Sequence, residues 1–430
     1  MSALKELSIS IGKNKVRTTS LEDKEETLIL TGNEAAAWAA RRAKVHVITA
    51  YPITPQTTVM ETLSEFVDSG AMKAQFIRVE SEHTVMAGMV GASMTGARTF
   101  TATSGQGLLY MAEMVHWVAG SRLPVVTTIS SRGIAPPWNI WVDYSDVLSM
   151  RDTGWMIQFG STHQEIFDSV IMNYKIAENP EVMLPAFVAF GGFSQSHTSK
   201  PVIITSQKDV DAFLPPVPPN GWQHVYLDPD RPIVHGNLVM PNQEYMEFRF
   251  KIHDTMTKTI PIIKKVIQEF GKQFGRNYQG LIEPYRCDDA EFIVISVGAL
   301  SEQVQIAVDL LRDRGIKAGS IKLRYFRPFP VQDFLDLLKG KKIKGITVAD
   351  RSIAYGSPTG GHLSTEFYSV LQKLRSNITY LPAVWGLGGR DVTIDDQVSV
   401  LEDLIAFHET NTIKPGKNKF VNGTLWVNIK

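Results

Sequence analysis

Between Leu28 and about Ser206 the chain repeats one pattern, a short β-rich run followed by a longer Ala-rich or amphipathic run. Strands are predicted at Val45–Ala50, Gln75–Val79, Thr99–Thr103, Val125–Ser130 and Ala186–Ala189. Helices are predicted between them at Glu34–Ala43, Glu82–Met94, Leu108–Ala119 and Gln164–Ala177. A helix between two strands returns the chain to the same end of the sheet, so neighbouring strands run parallel and helices cover both faces. The pattern predicts an α/β fold built on a doubly wound parallel sheet. In such sheets ligand groups gather at the carboxyl ends of the strands.

Pro215-Pro216-Val217-Pro218-Pro219 interrupts this pattern and reads as a stiff linker. Gln243 to Gly280 reads as mostly helical, with a kink or break expected at Pro261. A second, open α/β unit begins near Asp289, with strands at Phe292–Val297, Ile316–Leu323, Ile346–Ala349 and Ile378–Leu381. Its helix Ser301–Arg314 ends at Gly315, a residue suited to a left-handed cap. The expected division is an N-terminal extension (1–27), a first α/β domain (28–214), a Pro-rich linker with a helical connector (215–288) and a second domain with a C-terminal tail (289–430). A length of 430 residues agrees with more than one core.

Composition removes several function classes. The 44 basic and 44 acidic residues cancel, and no basic run appears, which argues against nucleic-acid binding. Met1 to Lys24 lacks the apolar core of a secretory signal, and no stretch approaches the roughly 18–20 apolar residues of a membrane helix. A cytoplasmic protein without membrane association is expected. Cys287 is the single cysteine, so this chain alone holds no internal disulfide, four-cysteine zinc site or iron–sulfur cluster. It reads as a bystander thiol.

Several strand ends carry groups suited to ligand chemistry. Thr54, in Tyr51-Pro52-Ile53-Thr54-Pro55, offers a hydroxyl and a backbone amide in a turn stiffened by two prolines, or else caps the next helix. Ser104-Gly105-Gln106-Gly107 is a glycine-bearing turn between strand and helix that could cradle an anion at a helix N-terminus. Arg132 follows a strand, and its planar guanidinium suits bidentate capture of a carboxylate. Glu82 opens a helix behind Ser81, where an acid also suits the macrodipole. Glu80, two residues earlier, is the competing carboxylate. Gly386-Leu387-Gly388-Gly389-Arg390 lacks the Lys-Ser/Thr of a phosphate loop, so packing or subunit contact is expected there.

Taken in order, Tyr51–Pro55, Val79-Glu80-Ser81-Glu82, Thr101–Gly107, Ser131-Arg132-Gly133, Asp143–Asp146 with Arg151–Gly154, Tyr325–Pro330 and Gly386–Asp391 resemble the α subunits, or N-terminal domains, of 2-oxoacid:acceptor oxidoreductases. This is the pyruvate:ferredoxin oxidoreductase family, and the resemblance covers roughly Leu28 to Leu404. It implies a pyrimidine-type thiamine diphosphate-binding domain followed by a transketolase C-terminal-like domain. Glu82 matches the family's activating glutamate. A carboxylate on the pyrimidine nitrogen favours the imino tautomer, whose exocyclic nitrogen takes the thiazolium proton. Arg132 matches the arginine that binds the substrate carboxylate, and Thr54 a threonine near it. Ser104, Gly105, Gln106 and Gly107 match the turn against the cofactor. Ile140, in Pro136–Trp141, falls where the family lines the apolar end of the substrate.

No Gly-Asp-Gly turn for a diphosphate–magnesium site occurs in the sequence. The resemblance implies that a β subunit supplies that half with Mg2+, and that γ and ferredoxin-like δ-type subunits complete the complex. Iron–sulfur clusters on partner subunits would carry electrons to ferredoxin or NAD, with coenzyme A as co-substrate. Pyruvate, branched-chain, aryl-glyoxylate and other 2-oxoacid enzymes share these motifs. Two other readings stay open at this point: the β half of a lipoamide-linked 2-oxoacid dehydrogenase, and a non-catalytic scaffold subunit of the same fold.

Overall fold

The computed structural model describes residues 24–430 except 219, 220, 223, 224 and 376. Most of the predicted N-terminal extension, and the linker's last proline, Pro219, therefore lie outside the described residues. Two seven-stranded sheets organise the rest. The first runs, in spatial order, Tyr325–Arg327, Met156–Phe159, Ala186–Gly191, Val126–Ser131, Thr99–Thr103, Val47–Ala50 and Gln75–Arg78. All neighbours are parallel except Tyr325–Arg327, which pairs antiparallel with Met156–Phe159. From Val47–Ala50 the chain moves outward to Gln75–Arg78, then crosses back to Thr99–Thr103 on the other side. The switch in winding direction thus falls between Val47–Ala50 and Thr99–Thr103. Their carboxyl ends are where a crevice opens in a doubly wound sheet.

Local sequence explains most of these elements. The helix Glu82–Met94 starts where predicted: Ser81 is extended (φ −159°, ψ 160°) and its hydroxyl accepts from the Thr84 N–H. Thr31 and Glu34 form a capping box at Gly32–Arg42. Where Leu108–Ala119 was expected as one helix, two occur, Gly105–Tyr110 and Ala112–Gly120, because Met111 (φ −87°, ψ 3°) leaves helical geometry. Of the kink or break expected at Pro261, no break occurs: Tyr245–Phe274 is one helix through it. Both Pro261 and Thr257, whose carbonyl loses its partner to the ring, are exposed residues, where a freed carbonyl costs less than in a buried helix.

The second sheet runs Lys419–Val421, Thr424–Trp426, Thr379–Val384, Gly345–Asp350, Phe292–Val297, Ala318–Leu323 and Ile282–Tyr285. Its interior pairs are parallel, and a hairpin from the C-terminal tail forms one edge. One hydrophobic core passes from the first unit into the second, joining Val147 and Leu148 to Ile295, Leu323 and Phe326. At the same junction the fully buried Arg324 donates to Glu165 (2.5 Å) and Glu283 (2.5 Å). The linker is not a free spacer either. Trp222 and Val225 are buried in the shared core, and the Pro215 carbonyl accepts from the Arg98 guanidinium at 2.9 Å.

Candidate functional site

Four chain segments meet at the switch point. After Val47–Ala50, the Tyr51–Gln56 turn is held from within by Gln56 Nε2 donating to the Tyr51 carbonyl (2.9 Å). Asn33 Nδ2 donates to the Pro55 carbonyl at 2.7 Å, and Ser130 Oγ in turn holds Asn33 Oδ1 at 2.8 Å. Thr54 meets the rest of the site through its backbone: its carbonyl accepts from Arg132 Nε at 2.9 Å. The Thr54 side chain is exposed, and Gln56, not Thr54, is the N-cap of Thr57–Asp68.

The two candidate carboxylates sit in opposite environments. Glu82 is buried, and its carboxyl accepts no hydrogen bond from another side chain among the described residues. Burial pushes its pKa upward, opposed more weakly by its own backbone N–H and by the Arg132 charge. Glu80 lies in solvent and accepts from the hydroxyls of Thr84 and Ser81, which hold its pKa below the usual carboxylate value.

The Ser104–Gly107 turn lies between Glu82 and Arg132. A Cβ at Gly105 (φ +48°) would come within 2.6 Å of Arg132 Cζ, and one at Gly107 within 2.6 Å of Glu82 Oε1. Alternate glycines thus bring the backbone against the two charged groups in turn. Between them, Gln106 Oε1 accepts from Arg132 Nη1 at 2.7 Å. Thr103 Oγ1, Ser104 Oγ, Gln106 Nε2 and Ser131 Oγ are buried without a hydrogen-bond partner. Orphaned polar atoms beside an unpaired carboxyl are what a ring with hydrogen-bonding edges would satisfy.

Arg132 is almost fully buried at the end of Val126–Ser131. Nη1 also reaches the carbonyls of Gly133 (3.0 Å) and Asn139 (3.2 Å), and the guanidinium lies 5.4 Å from the Trp138 ring centroid. Nη2 has no hydrogen-bond partner among the described residues. Desolvation lowers the Arg132 pKa, against the opposing charges of Asp146 and Glu82. Ile140 is half-buried in the loop that follows, between the exposed rings of Trp138 and Trp141. That loop rests on the second unit: Asn139 Nδ2 donates to the Gly388 carbonyl (2.9 Å), and Gly389 N–H to the Val142 carbonyl (2.8 Å). The Gly386–Gly389 turn is thereby a packing element, with a Cβ at Gly389 only 2.3 Å from Trp141 Cβ.

Asp146 is the site neighbour that residue-by-residue reading missed. It is fully buried, and Oδ2 accepts from the N–H groups of Gly105 (2.9 Å) and Arg132 (3.1 Å). An acid in Asp143–Asp146 was visible as part of a motif, but nothing local tied it to two strand ends 14 and 41 residues away. Cys287 lies elsewhere, buried beside the Ser320 carbonyl, and burial pushes its thiol up to about 11.

These residues fit the pyrimidine end of thiamine diphosphate: a dry carboxyl, a backbone cradle cleared of Cβ atoms, and unsatisfied hydroxyl and amide groups. Among the described residues no group of three His, Cys, Asp or Glu side chains is placed to hold a metal ion, and no helix is long and apolar enough to cross a membrane.

Residues 38–268 match the family described as pyruvate flavodoxin/ferredoxin oxidoreductase, thiamine diP-bdg. Residues 290–397 match pyruvate:ferredoxin oxidoreductase core domain II. The chain is 44% identical over 376 residues to the ketoisovalerate oxidoreductase subunit VorA of Pyrococcus horikoshii, covering 87% of this chain and 93% of that one. It is 41% identical over 406 residues to the pyruvate synthase subunit PorA of Methanocaldococcus jannaschii, covering 94% and 98%. Among solved structures, a 2-oxoglutarate:ferredoxin oxidoreductase from Magnetococcus marinus shares the fold (TM-score 0.66, 19% identity); the match covers 88% of this chain and 65% of that one. A split-gene transketolase shares it more distantly (TM-score 0.52, 13% identity, 88% and 98% covered). The α/β architecture is thus a thiamine diphosphate-binding unit followed by a core domain II unit, in a fold shared with transketolase. The chain belongs to the pyruvate flavodoxin/ferredoxin oxidoreductase family and, like PorA and VorA, is an oxidoreductase subunit.

Proposed function

We propose that this chain is the α subunit of a multisubunit 2-oxoacid:acceptor oxidoreductase that converts a 2-oxoacid and coenzyme A to acyl-CoA and carbon dioxide, releasing two electrons and a proton. One observation carries the reading: the buried Glu82 and Arg132 face alternate glycines of a single turn, so an acid–base group and a cation meet at one crevice. Thiamine diphosphate, when bound, supplies the electron sink for decarboxylation. Glu82 holds the proton at the pyrimidine nitrogen, and burial favours its protonated form more than solvent would. Arg132 binds the substrate carboxylate through Nη2, while its other nitrogens are fixed by Thr54, Gln106, Gly133 and Asn139. Ser104, Gly105, Gln106 and Gly107 form the cofactor-facing backbone, and Ile140 borders the substrate's apolar end.

Residues 28–214 act as the pyrimidine-binding domain, 215–288 as a connector, and 289–430 as an assembly element. A β subunit brings the diphosphate–magnesium half, and γ and δ-type subunits carry iron–sulfur clusters that feed ferredoxin or NAD, in the cytoplasm. The surface between residues 227 and 250 supports a subunit role, since Val234, Leu238 and Met246 there are each more than three-quarters exposed.

The isolated chain is expected to be colourless and to bind thiamine diphosphate weakly. The protein purified from its source should bring a β subunit and an iron–sulfur subunit, and the complex should form acyl-CoA across a panel of 2-oxoacids. An isolated chain that binds the cofactor tightly and reduces an acceptor unaided would overturn the proposal.

A further inference from the structure

The last ladder pair between Thr99–Thr103 and Val126–Ser131 is Thr103 with Ile129. Beyond it the two strand ends separate, one into the glycine turn and the other into Arg132. Asp146 spans the gap where sheet hydrogen bonding stops. Its Oδ2 takes the N–H groups of Gly105 (2.9 Å) and Arg132 (3.1 Å), and Oδ1 takes Val147 N–H (2.7 Å). A buried carboxylate is costly unless its oxygens are satisfied, and here three backbone donors do so. Burial still pushes its pKa up to about 6, with Asp143 adding repulsion against the stabilising N–H groups.

We propose that Asp146 is a positioning residue for the 2-oxoacid: it clamps the Gly105 turn and the Arg132 strand end at one spacing, and so aims the guanidinium. This rests on the carboxylate-binding role of Arg132 given above. The spacing is demanding because Gly105 packs against Arg132 Cζ, and the adjoining Gln106 holds Nη1. A turn that drifts outward releases Nη1 and lets the guanidinium rotate, which turns Nη2 away from the carboxylate and weakens a directional, charge-assisted hydrogen bond more than a point-charge attraction.

Asp146→Asn keeps the volume but sets an NH2 group against at least one N–H donor in either orientation. In the assembled complex, KM for the best 2-oxoacid is expected to rise on the order of 10-fold, the scale of one unsatisfied buried donor, with kcat changed less. Binding of oxamate, an unreactive 2-oxoacid analogue, should weaken in parallel by calorimetry. Proton exchange at the cofactor's thiazolium carbon, measured without substrate, should fall by a smaller factor than KM rises, because the loosened turn also borders Glu82. Because Asp146 acts through Arg132, adding Asp146→Asn to Arg132→Ala should cost little beyond Arg132→Ala alone. Additive losses, or a parental KM in Asp146→Asn, overturn the positioning role while leaving that of Arg132 standing. A parental KM in Arg132→Ala removes both. If Asp146→Asn does not assemble, Asp146→Ser, which keeps one acceptor oxygen, goes through the same cycle with the same criteria.

Discussion

Glu82→Gln should slow deuterium exchange at the thiazolium carbon by about 10²–10⁴-fold in the assembled complex, the range for losing general acid–base help. Glu82 is 6% exposed, and among the described residues its carboxyl accepts nothing from neighbouring side chains, so it is free to share a proton with a ring nitrogen. A glutamine fills the same space but has no titrating proton. The sign of the pKa shift provides a second readout. An acid whose folded pKa lies above its unfolded value makes the folded state bind more protons, so stability falls as pH rises through that window. Glu82→Gln removes this cost, and the melting temperature at neutral pH should be unchanged or higher. Glu80→Gln is the control: Glu80 lies in solvent, bonded to Thr84 and Ser81, and its variant should exchange at the parental rate. If Glu80→Gln abolishes exchange and Glu82→Gln does not, the wrong carboxylate has been assigned.

Arg132→Ala should lower kcat/KM for the 2-oxoacid by about 2–5 kcal/mol of transition-state stabilisation, the scale of losing one partner of a desolvated charge pair. The substitution also strips donors from the carbonyls of Thr54, Gly133 and Asn139 and from Gln106 Oε1, so part of the loss reflects a loosened loop. Arg132→Lys separates the two contributions. An ammonium restores charge and one or two of those bonds but not the planar fork, so rescue should be partial. Cofactor proton exchange should survive both changes, because Glu82 keeps its burial. A parental kcat/KM in Arg132→Ala would sink the carboxylate role.

The sequence by itself determined the alternation of strand and helix, and with it the sheet's parallel winding. Thr99–Thr103, Glu82–Met94 and Phe292–Val297 were legible to the residue, because a Ser N-cap or a β-rich run bounded by turn residues is local information. The same locality located Glu82, Arg132 and the Ser104–Gly107 turn at strand-to-helix transitions. Other features depend on partners distant in sequence. Tyr325–Arg327 crosses back to edge the first sheet, and its short run carries no signal of which sheet it joins. Pro261 stays within a helix at an exposed stretch, a matter of exposure rather than propensity. Thr54 contributes a carbonyl to Arg132, since only the folded turn decides which of its groups points inward. Asp146 joins Gly105 to Arg132 across two strand ends, and Gly388 supports Asn139 from 249 residues away. Propensity and capping act within a few residues along the chain, whereas the aim of a guanidinium and the dryness of a carboxyl are set by what the fold brings alongside them.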